Sequence, residues 1–187
     1  AVQLQICCKN AHNSFPSLVA QYAEGYFDEI YTQTLGVECK EKTVSEGGTT
    51  IKFSIWDLGG HKEFGDKLSV VCSDAQAILL VFDLTRAPTL QSVTQWFQQV
   101  RDVSKDAKVI LVGTKFDIYA NQTHEEQQNV TKKARRYAKA MQAPLIFCSS
   151  QESINVEEIF QIVRSKVFDL DCSIPLVSDA SDPVIEY

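Results

Sequence analysis

The sequence lacks two features that would place it in a membrane or on nucleic acid. Its apolar runs, such as residues 78–82, fall well short of the roughly 18 apolar residues that a membrane-spanning helix needs. It has no excess of basic residues, because 18 Lys and Arg stand against 24 Asp and Glu and give a formal net charge of −6. We therefore expect no nucleic-acid partner, and the lack of a signal-peptide pattern leads us to expect a cytoplasmic protein.

The cysteines lack the spacing of a metal site. No Cys-x-x-Cys pair occurs, and none of the three His lies at ligand spacing from a cysteine. We expect reduced thiols in or near the core. No cysteine lies among the last residues, so no lipid anchor is expected. The six cysteines are Cys7, Cys8, Cys39, Cys72, Cys148 and Cys172.

The chain does contain enough apolar residues for one large core. With 187 residues, of which 44% are hydrophobic and 22% charged, it can fold without disulfides or a structural metal. We expect one domain over residues 1–172. Residues 173–187 carry two prolines and no periodicity, which predicts an extended C-terminal tail that either packs back on the domain or binds a partner.

Short apolar runs alternate with stretches of helical period along most of the chain. Strands are predicted over residues 2–8, 78–82, 109–112 and 144–148, with a hairpin joining residues 39–44 to 50–56. Helices are predicted over residues 17–25, 89–103, 125–141 and 156–170. This order predicts an α/β domain with a largely parallel sheet and helices on both faces. The ligand site of such a sheet lies at the loops beyond the carboxyl ends of its strands.

The predicted helix over residues 125–141 has a basic outer face. Such a face is typical either of a solvated helix surface or of a binding site for an anionic partner, and we favour the solvated surface. The basic residues of this face are Lys132, Lys133, Arg135, Arg136 and Lys139.

Two short motifs follow predicted strands, where the ligand site is expected. Residues 57–60 read Asp-Leu-Gly-Gly, and residues 113–117 read Gly-Thr-Lys-Phe-Asp. They resemble the Asp-x-x-Gly and (Asn/Thr)-Lys-x-Asp elements of Ras-like small GTPases. Residues 31–37 and 147–150 are similar to the first switch and the last guanine-side loop of that family.

Residues 81–86, residues 143–149 and the tail narrow the resemblance to the fungal septation and mitotic-exit GTPases. The resemblance implies a Ras-like P-loop NTPase fold, with a six-stranded mostly parallel sheet, one antiparallel edge strand and about five helices. Members of that subfamily act at spindle poles as switches for a kinase cascade. By resemblance, the expected protein partners are a kinase, a spindle-pole scaffold or a GAP-type regulator.

The resemblance also implies roles on the guanine side of a nucleotide site. Asp117 would accept two hydrogen bonds from the guanine edge, and a site built on such an acceptor rejects adenine strongly. Lys115 would pack its stem over the base and steady the phosphate loop. Thr114 and Ser150 complete this expected guanine side.

On the phosphate side, the resemblance assigns Thr34 and Asp57 to Mg²⁺ and the Gly60 amide to the γ-phosphate. His61 stands at the position where most relatives carry the glutamine that orients the attacking water. Elongation-factor GTPases use His at this position, so His61 by itself does not predict inactivity. We assign no residue a catalytic role.

The phosphate loop departs from the family pattern at every defining position. The pattern Gly-x-x-x-x-Gly-Lys-(Ser/Thr) falls on residues 9–16, where Lys9 and Ser14 replace the two glycines. Phe15 replaces the lysine, and Pro16 replaces the residue whose hydroxyl binds the metal. Glycines let a loop turn its amides toward phosphate, and proline has no amide to donate. We expect a plain helix start instead, with Pro16 in the first turn.

The sequence therefore predicts a pseudo-GTPase, which has lost nucleotide binding and GTP hydrolysis and acts through its switch-like surface. We expect no bound cofactor. Two alternatives stay open: a divergent switch that uses GTP or GDP with Mg²⁺, or nucleotide binding without hydrolysis. A repaired loop, in which Lys9 supplies the missing charge or Ser17 the missing hydroxyl, would favour them. The expected localisation is cytoplasmic, with an association with spindle poles or the cytoskeleton.

Overall fold

One seven-stranded sheet runs through the part of the chain that the computed structural model describes, which is residues 2–10, 15–27, 37–46, 48–58 and 65–187. The strands are β1 Val2–Asn10, β2 Val37–Glu46, β3 Thr49–Leu58, β4 Ala77–Asp83, β5 Lys108–Thr114, β6 Leu145–Phe147 and β7 Ile185–Glu186. Their order across the sheet is β2-β3-β1-β4-β5-β6-β7. The edge strands β2 and β7 run antiparallel to their neighbours, and all other pairs are parallel.

Six helices accompany the sheet within the described ranges. They are α1 Phe15–Glu24, α2 Gly65–Cys72, α3 Ala87–Val103, α4 Phe116–Tyr119, α5 His124–Met141 and α6 Val156–Phe168. The start of α5 is fixed by a capping box, in which Thr123 and Glu126 each hydrogen-bond the backbone N–H of the other. None of these helices is both long and apolar enough to span a bilayer.

The central strands β4 and β5 are buried on both faces. All seven residues of β4 and six of the seven in β5 are shielded from solvent, and this requires helices on both sides of the sheet. On one face, Leu80 and Leu111 pack in a cluster with buried residues of α2, α3 and α5. On the other face, Leu79 and Ile110 pack in a cluster with buried residues of α1 and α6. The α/β class and the largely parallel sheet are confirmed.

The structure contains elements that the sequence did not predict. Within the described residues, the sheet has seven strands instead of the expected six, and six helices flank it instead of about five. The helix α4 has four residues and β7 has two, and elements this short carry no readable period. The eight-residue α2 was not predicted either.

The C-terminal tail packs back on the domain, which is one of the two outcomes left open by the sequence. Its strand β7 extends the sheet beside β6, and Val184 and Ile185 are 0% and 4% exposed. Arg135 of α5 donates from Nε and Nη2 to Glu186 Oε1, at 2.9 and 2.6 Å. The hydroxyl of Tyr187 donates to the backbone carbonyl of Cys172 at 3.0 Å. The tail therefore contributes side chains to both the core and the surface of the domain.

The expectation of reduced thiols is wrong for Cys72 and for the cysteine bonded to it. Cys72, buried at the end of α2, takes part in a disulfide bond. Cys39, Cys148 and Cys172 are free, while the side chains of residues 7 and 8 lie outside those described. Pairing depends on which cysteines the fold brings within reach, and spacing along the chain does not show that.

We expect the substitution Ile185→Ala to lower the free energy of unfolding by about 2–5 kcal/mol, because it leaves a cavity beside β6. Leu176→Ala is the matched control in the same tail, because Leu176 is 63% exposed. The control should change stability by no more than about 0.5 kcal/mol. Urea unfolding of both variants measures the difference. Equal and small effects would contradict the packing of the tail on the domain.

Candidate functional site

The carboxyl ends of neighbouring strands bring the predicted guanine-side motif to one edge of the sheet. Gly113 is the second-last residue of β5, and a Cβ atom there would lie 2.9 Å from side-chain atoms of Phe82, Leu84 and Phe147. Real Cβ atoms do not come this close to carbon, so the packing of these buried side chains requires glycine. The next residue, Thr114, is 1% exposed and donates from Oγ1 to the carbonyl of Phe82 at 3.1 Å. The end of β5 is thereby fixed to the end of β4.

Lys115 follows in a left-handed backbone conformation, with φ 64° and ψ 41°. Its Nζ lies 2.9 Å from Oδ2 of Asp83, the last residue of β4. The Asp83 side chain is 1% exposed, whereas that of Lys115 is 42% exposed. The pair therefore joins a buried carboxylate to an ammonium group that still reaches the surface.

Asp83 is itself held in a fixed orientation. Its Oδ1 accepts hydrogen bonds from the backbone N–H of Thr85 at 2.9 Å and from the Thr85 hydroxyl at 2.6 Å. A carboxylate that is buried and ionised needs such partners. Sequence reasoning missed Asp83 as a site residue, although its position at the end of an apolar strand was a usable signal.

Asp117 lies in the first turn of α4 and is half-buried. Its Oδ1 accepts a hydrogen bond from Ser149 Oγ at 2.6 Å, and Ser149 Oγ in turn accepts one from the backbone N–H of Glu152 at 3.1 Å. Ser149 is fully buried. Because the hydroxyl is held from behind, the carboxylate has a defined position at the edge of the site.

Two backbone hydrogen bonds join the loop after β6 to the end of β5 and to the start of α4. The N–H of Phe116 donates to the carbonyl of Cys148 at 3.0 Å, and the N–H of Cys148 donates to the carbonyl of Gly113 at 2.8 Å. Burial raises the pKa of the Cys148 thiol, and the charge of Asp117 raises it further. Ser150, which the sequence analysis selected, is buried beside this loop. It is the neighbouring Ser149 that contacts Asp117.

The short helix α4 is anchored by its last residue. Tyr119 is fully buried, and its hydroxyl donates to the carbonyl of Gln127 at 2.7 Å and lies 2.9 Å from Thr131 Oγ1. Both contacts lie on α5. Asp117 is therefore held between α5, through this anchor, and the loop after β6, through Ser149.

The predicted phosphate and metal side is only partly within the described residues. Asp57, the second-last residue of β3, is 5% exposed, and Lys9 belongs to β1, where its backbone pairs with Leu58. Thr34, Gly60, His61 and Ser14 lie outside the described residues. Across the ranges that the structure covers, no cluster of three or more His, Cys, Asp or Glu side chains could hold a metal ion.

The start of α1 agrees with the plain helix start expected from the sequence. Phe15 and Pro16 are the first two residues of α1. Proline is favoured in the first turn, where its missing N–H would have no partner within the helix. The two positions that match the family's lysine and metal-binding hydroxyl are therefore ordinary N-terminal helix positions.

The sequence profile of the Ras family matches residues 15–169. This chain belongs to the Ras family. It is 54% identical over 171 residues to Septum-promoting GTP-binding protein 1 of Schizosaccharomyces pombe, covering 91% of this chain and 86% of that protein. It is 29% identical to GTP-binding protein YPTM2 of Zea mays over 90% of this chain and 81% of that protein. Ras-related protein Rab-1A of Dictyostelium discoideum is 30% identical over 80% of this chain and 72% of its own length.

Family membership supports the Ras-like fold expected from the motifs and places the chain near a septation GTPase. It implies GTP or GDP with Mg²⁺ as a possible cofactor, and protein partners such as regulators or effectors. The expectation that no cofactor binds is not confirmed by the comparisons. The matched range begins at residue 15, near the end of the segment at 9–16.

We expect Lys115→Met to lower the free energy of unfolding by about 1–3 kcal/mol, because it leaves the buried Asp83 carboxylate without its cation. The double variant Lys115→Met with Asp83→Asn should recover part of this loss, since a neutral amide needs no counter-charge. Lys52→Met is the matched control, because its pair with Glu41 is exposed on both sides. The control should cost no more than about 0.5 kcal/mol. Urea unfolding of the four proteins tests the pair, and a loss for Lys115→Met no larger than the control's would contradict its role.

Proposed function

We propose that this chain is a Ras-family signalling protein of the septation type that has lost tight nucleotide binding and acts as a pseudo-GTPase. The observation that carries the proposal is the composition of residues 9–16. This segment has no glycine. Phe15 and Pro16 stand at the positions where a phosphate loop has its lysine and its metal-binding hydroxyl residue. Since the sequence keeps the residues that match the guanine side, the proposed loss concerns the binding of the phosphates.

The size of the loss follows from the missing contacts. One charge-assisted hydrogen bond contributes about 1.5–3 kcal/mol. Removing the lysine and two or three loop amides therefore costs on the order of 5–8 kcal/mol, which is roughly four to six decades of affinity. Pro16 adds to this because it has no N–H to donate at the start of α1. The residues present do not fit the triphosphate end of a nucleotide.

We further propose that residues 34–38 and 59–68 present a switch-like surface in one conformation to protein partners. In the Ras family such segments are ordered and released by the γ-phosphate, and without tight nucleotide binding they would have a single state. The relative that is 54% identical is named as septum-promoting. By that resemblance we propose a role in cell-division signalling, with a kinase, a spindle-pole scaffold or a GAP-type regulator as partner and spindle poles or the cytoskeleton as the site of action.

The domain limits of this protein are proposed as residues 1–172 for the Ras-family domain and residues 173–187 for the tail. Because Val184 and Ile185 are buried against the sheet, the tail serves the stability of the domain. If the tail were instead an unattached segment that binds a partner, these two residues would be exposed in the unbound protein.

A second function, a divergent guanine-nucleotide switch, is favoured by one observation. Asp117 is positioned by Ser149 at 2.6 Å, and Lys115 is positioned by Asp83 at 2.9 Å. These contacts fix the positions of the Asp117 carboxylate and the Lys115 ammonium group in the absence of a ligand. If nucleotide binds, we propose that Asp117 accepts from the guanine edge, with Thr114, Lys115 and Ser150 around it. Thr34 and Asp57 would then hold Mg²⁺, and the Gly60 amide would meet the γ-phosphate.

Restoring the phosphate loop gives a gain-of-function test. The quadruple variant Lys9→Gly, Ser14→Gly, Phe15→Lys and Pro16→Ser replaces each departure with the family residue. We expect the natural chain to release no GDP or GTP when the purified protein is denatured and its supernatant is run on an anion-exchange column. The restored variant should carry nucleotide and bind GDP with Mg²⁺ in a calorimetric titration at least about a thousandfold more tightly than the natural chain.

The control adds Asp117→Ala to the restored variant. It should abolish the gained affinity, and this loss would show that Asp117 takes part in binding the guanine base. Submicromolar, magnesium-dependent GTP binding by the natural chain would overturn the pseudo-GTPase proposal and support the second function. Bound GTP without release of phosphate would identify a nucleotide-binding protein with no hydrolysis. A restored variant that folds but binds no better than the natural chain would show that the loss lies outside residues 9–16.

A further inference from the structure

The outer face of α5 carries a dense group of cations. Five basic residues fall within eight positions of this helix, at 132, 133, 135, 136 and 139. Four of them, Lys132, Lys133, Arg136 and Lys139, are exposed and form no ion pair with any residue that the structure describes. Their mutual repulsion on one helix face is unfavourable, so the fold itself gives no reason for the cluster.

The fifth cation of this face, Arg135, has a structural role. Besides its contacts with Glu186, its Nη2 donates to the backbone carbonyl of Ser178 at 2.5 Å. This contact holds the chain at residues 178–180 alongside α5. The tail and the helix together form the walls of a cavity of about 680 Å³, whose lining includes Lys132, Arg136 and Lys139.

A second cavity of about 690 Å³ adjoins the first, and Arg135 and Lys139 line both. It lies at the start of β5 and the end of α5, and it adds four cations to the lining. These are Arg101, Lys105, Lys108 and Lys166. We call the two cavities together the α5 groove.

The α5 groove contrasts in charge with the rest of the protein. Eight basic residues line it, out of 18 in the chain, whereas only three acidic residues do so, out of 24. The acidic three are Asp106, Asp179 and Glu186. The groove is therefore a concave positive surface on a protein whose formal net charge is −6.

We propose that the α5 groove is a docking site for an acidic segment of a protein partner. The charge complementarity favours a chain rich in Asp and Glu, which would pair with the cations that form no ion pair with the described residues. A concave groove walled by a helix on one side and by the tail on the other can hold a short peptide segment. The solvated-surface interpretation of this face does not account for the groove.

Two other anionic partners fit the surface less well. A bilayer surface is flat, and amphipathic membrane-binding helices combine basic residues with exposed apolar ones, whereas no large apolar residue of α5 is exposed. A nucleic acid is a long polyanion, and beyond the groove it would meet a surface with an excess of acidic residues. A short acidic segment avoids this repulsion.

The α5 groove is separate from the candidate nucleotide side. Residues 113–117 lie at the carboxyl end of β5, whereas Lys108, which lines the groove, is the first residue of that strand. The two surfaces lie toward opposite edges of the sheet. The docking proposal therefore does not depend on whether nucleotide binds, and either proposal can fail without the other.

The test measures binding of a fluorescein-labelled peptide of alternating Glu and Asp, by fluorescence anisotropy at low and at high salt. We expect the natural chain to bind it at low salt, and we expect the triple variant Lys132→Ala, Arg136→Ala, Lys139→Ala to bind at least about tenfold more weakly. Binding should also weaken at high salt, because the Debye length falls from about 10 Å at 0.1 M to about 3 Å at 1 M. Arg135 is left unchanged because it supports the tail.

The matched control is Lys40→Ala, Lys52→Ala, Arg86→Ala, which removes the same charge at residues that do not line the α5 groove. It should retain the affinity of the natural chain within about twofold. An equal loss in both triple variants, or no binding by the natural chain, would overturn the proposal. Binding only to phosphatidylserine vesicles, or only to single-stranded RNA, would overturn it in favour of a membrane or a nucleic acid. Unfolding curves that match between the variants exclude loss of fold as the cause.

Discussion

The burial of β4 and β5 on both faces is the constraint on which the rest of the structure depends. Strands without a polar face can exist only between two layers of helices, and here α1 and α6 cover one side while α2, α3 and α5 cover the other. Once these strands are parallel and adjacent, their carboxyl ends must meet at one edge. Asp83 at the end of β4 and Lys115 just after β5 are neighbours for that reason.

Neighbouring loops then fix one another with a small number of polar contacts. Asp83 orients Lys115, Ser149 orients Asp117, and Tyr119 anchors the short α4 to α5. The first two contacts each join a buried group to a group at the edge of the site, and the third lies wholly in the core, so the core sets the geometry of the site. A protein can keep this arrangement for its stability even where it does not bind the phosphates of a nucleotide. The guanine-side residues by themselves therefore do not establish nucleotide binding.

The two proposals place function on two different surfaces of the same domain. Asp57 and Asp117 lie toward the carboxyl ends of β3 and β5, whereas the α5 groove opens beside the first residue of β5. The tail takes part in the second surface, because Arg135 and Glu186 join it to α5. The tail, which the sequence predicted to be an extended segment outside the domain, therefore lines the groove and also forms the last strand of the sheet.

The sequence by itself determined the α/β class, the long helices, the central strands and the guanine-side motif, because each carries a local signal of period or residue type. It also determined which residues stand at positions 9–16, on which the pseudo-GTPase proposal rests. Only the tertiary structure decided that Ser149 meets Asp117, that Asp83 meets Lys115 and that Cys72 enters a disulfide. The same is true of β7 and of the groove beside the basic helix face. These features join residues that are distant in sequence, and no local pattern records which distant segments the packing of the core will bring together.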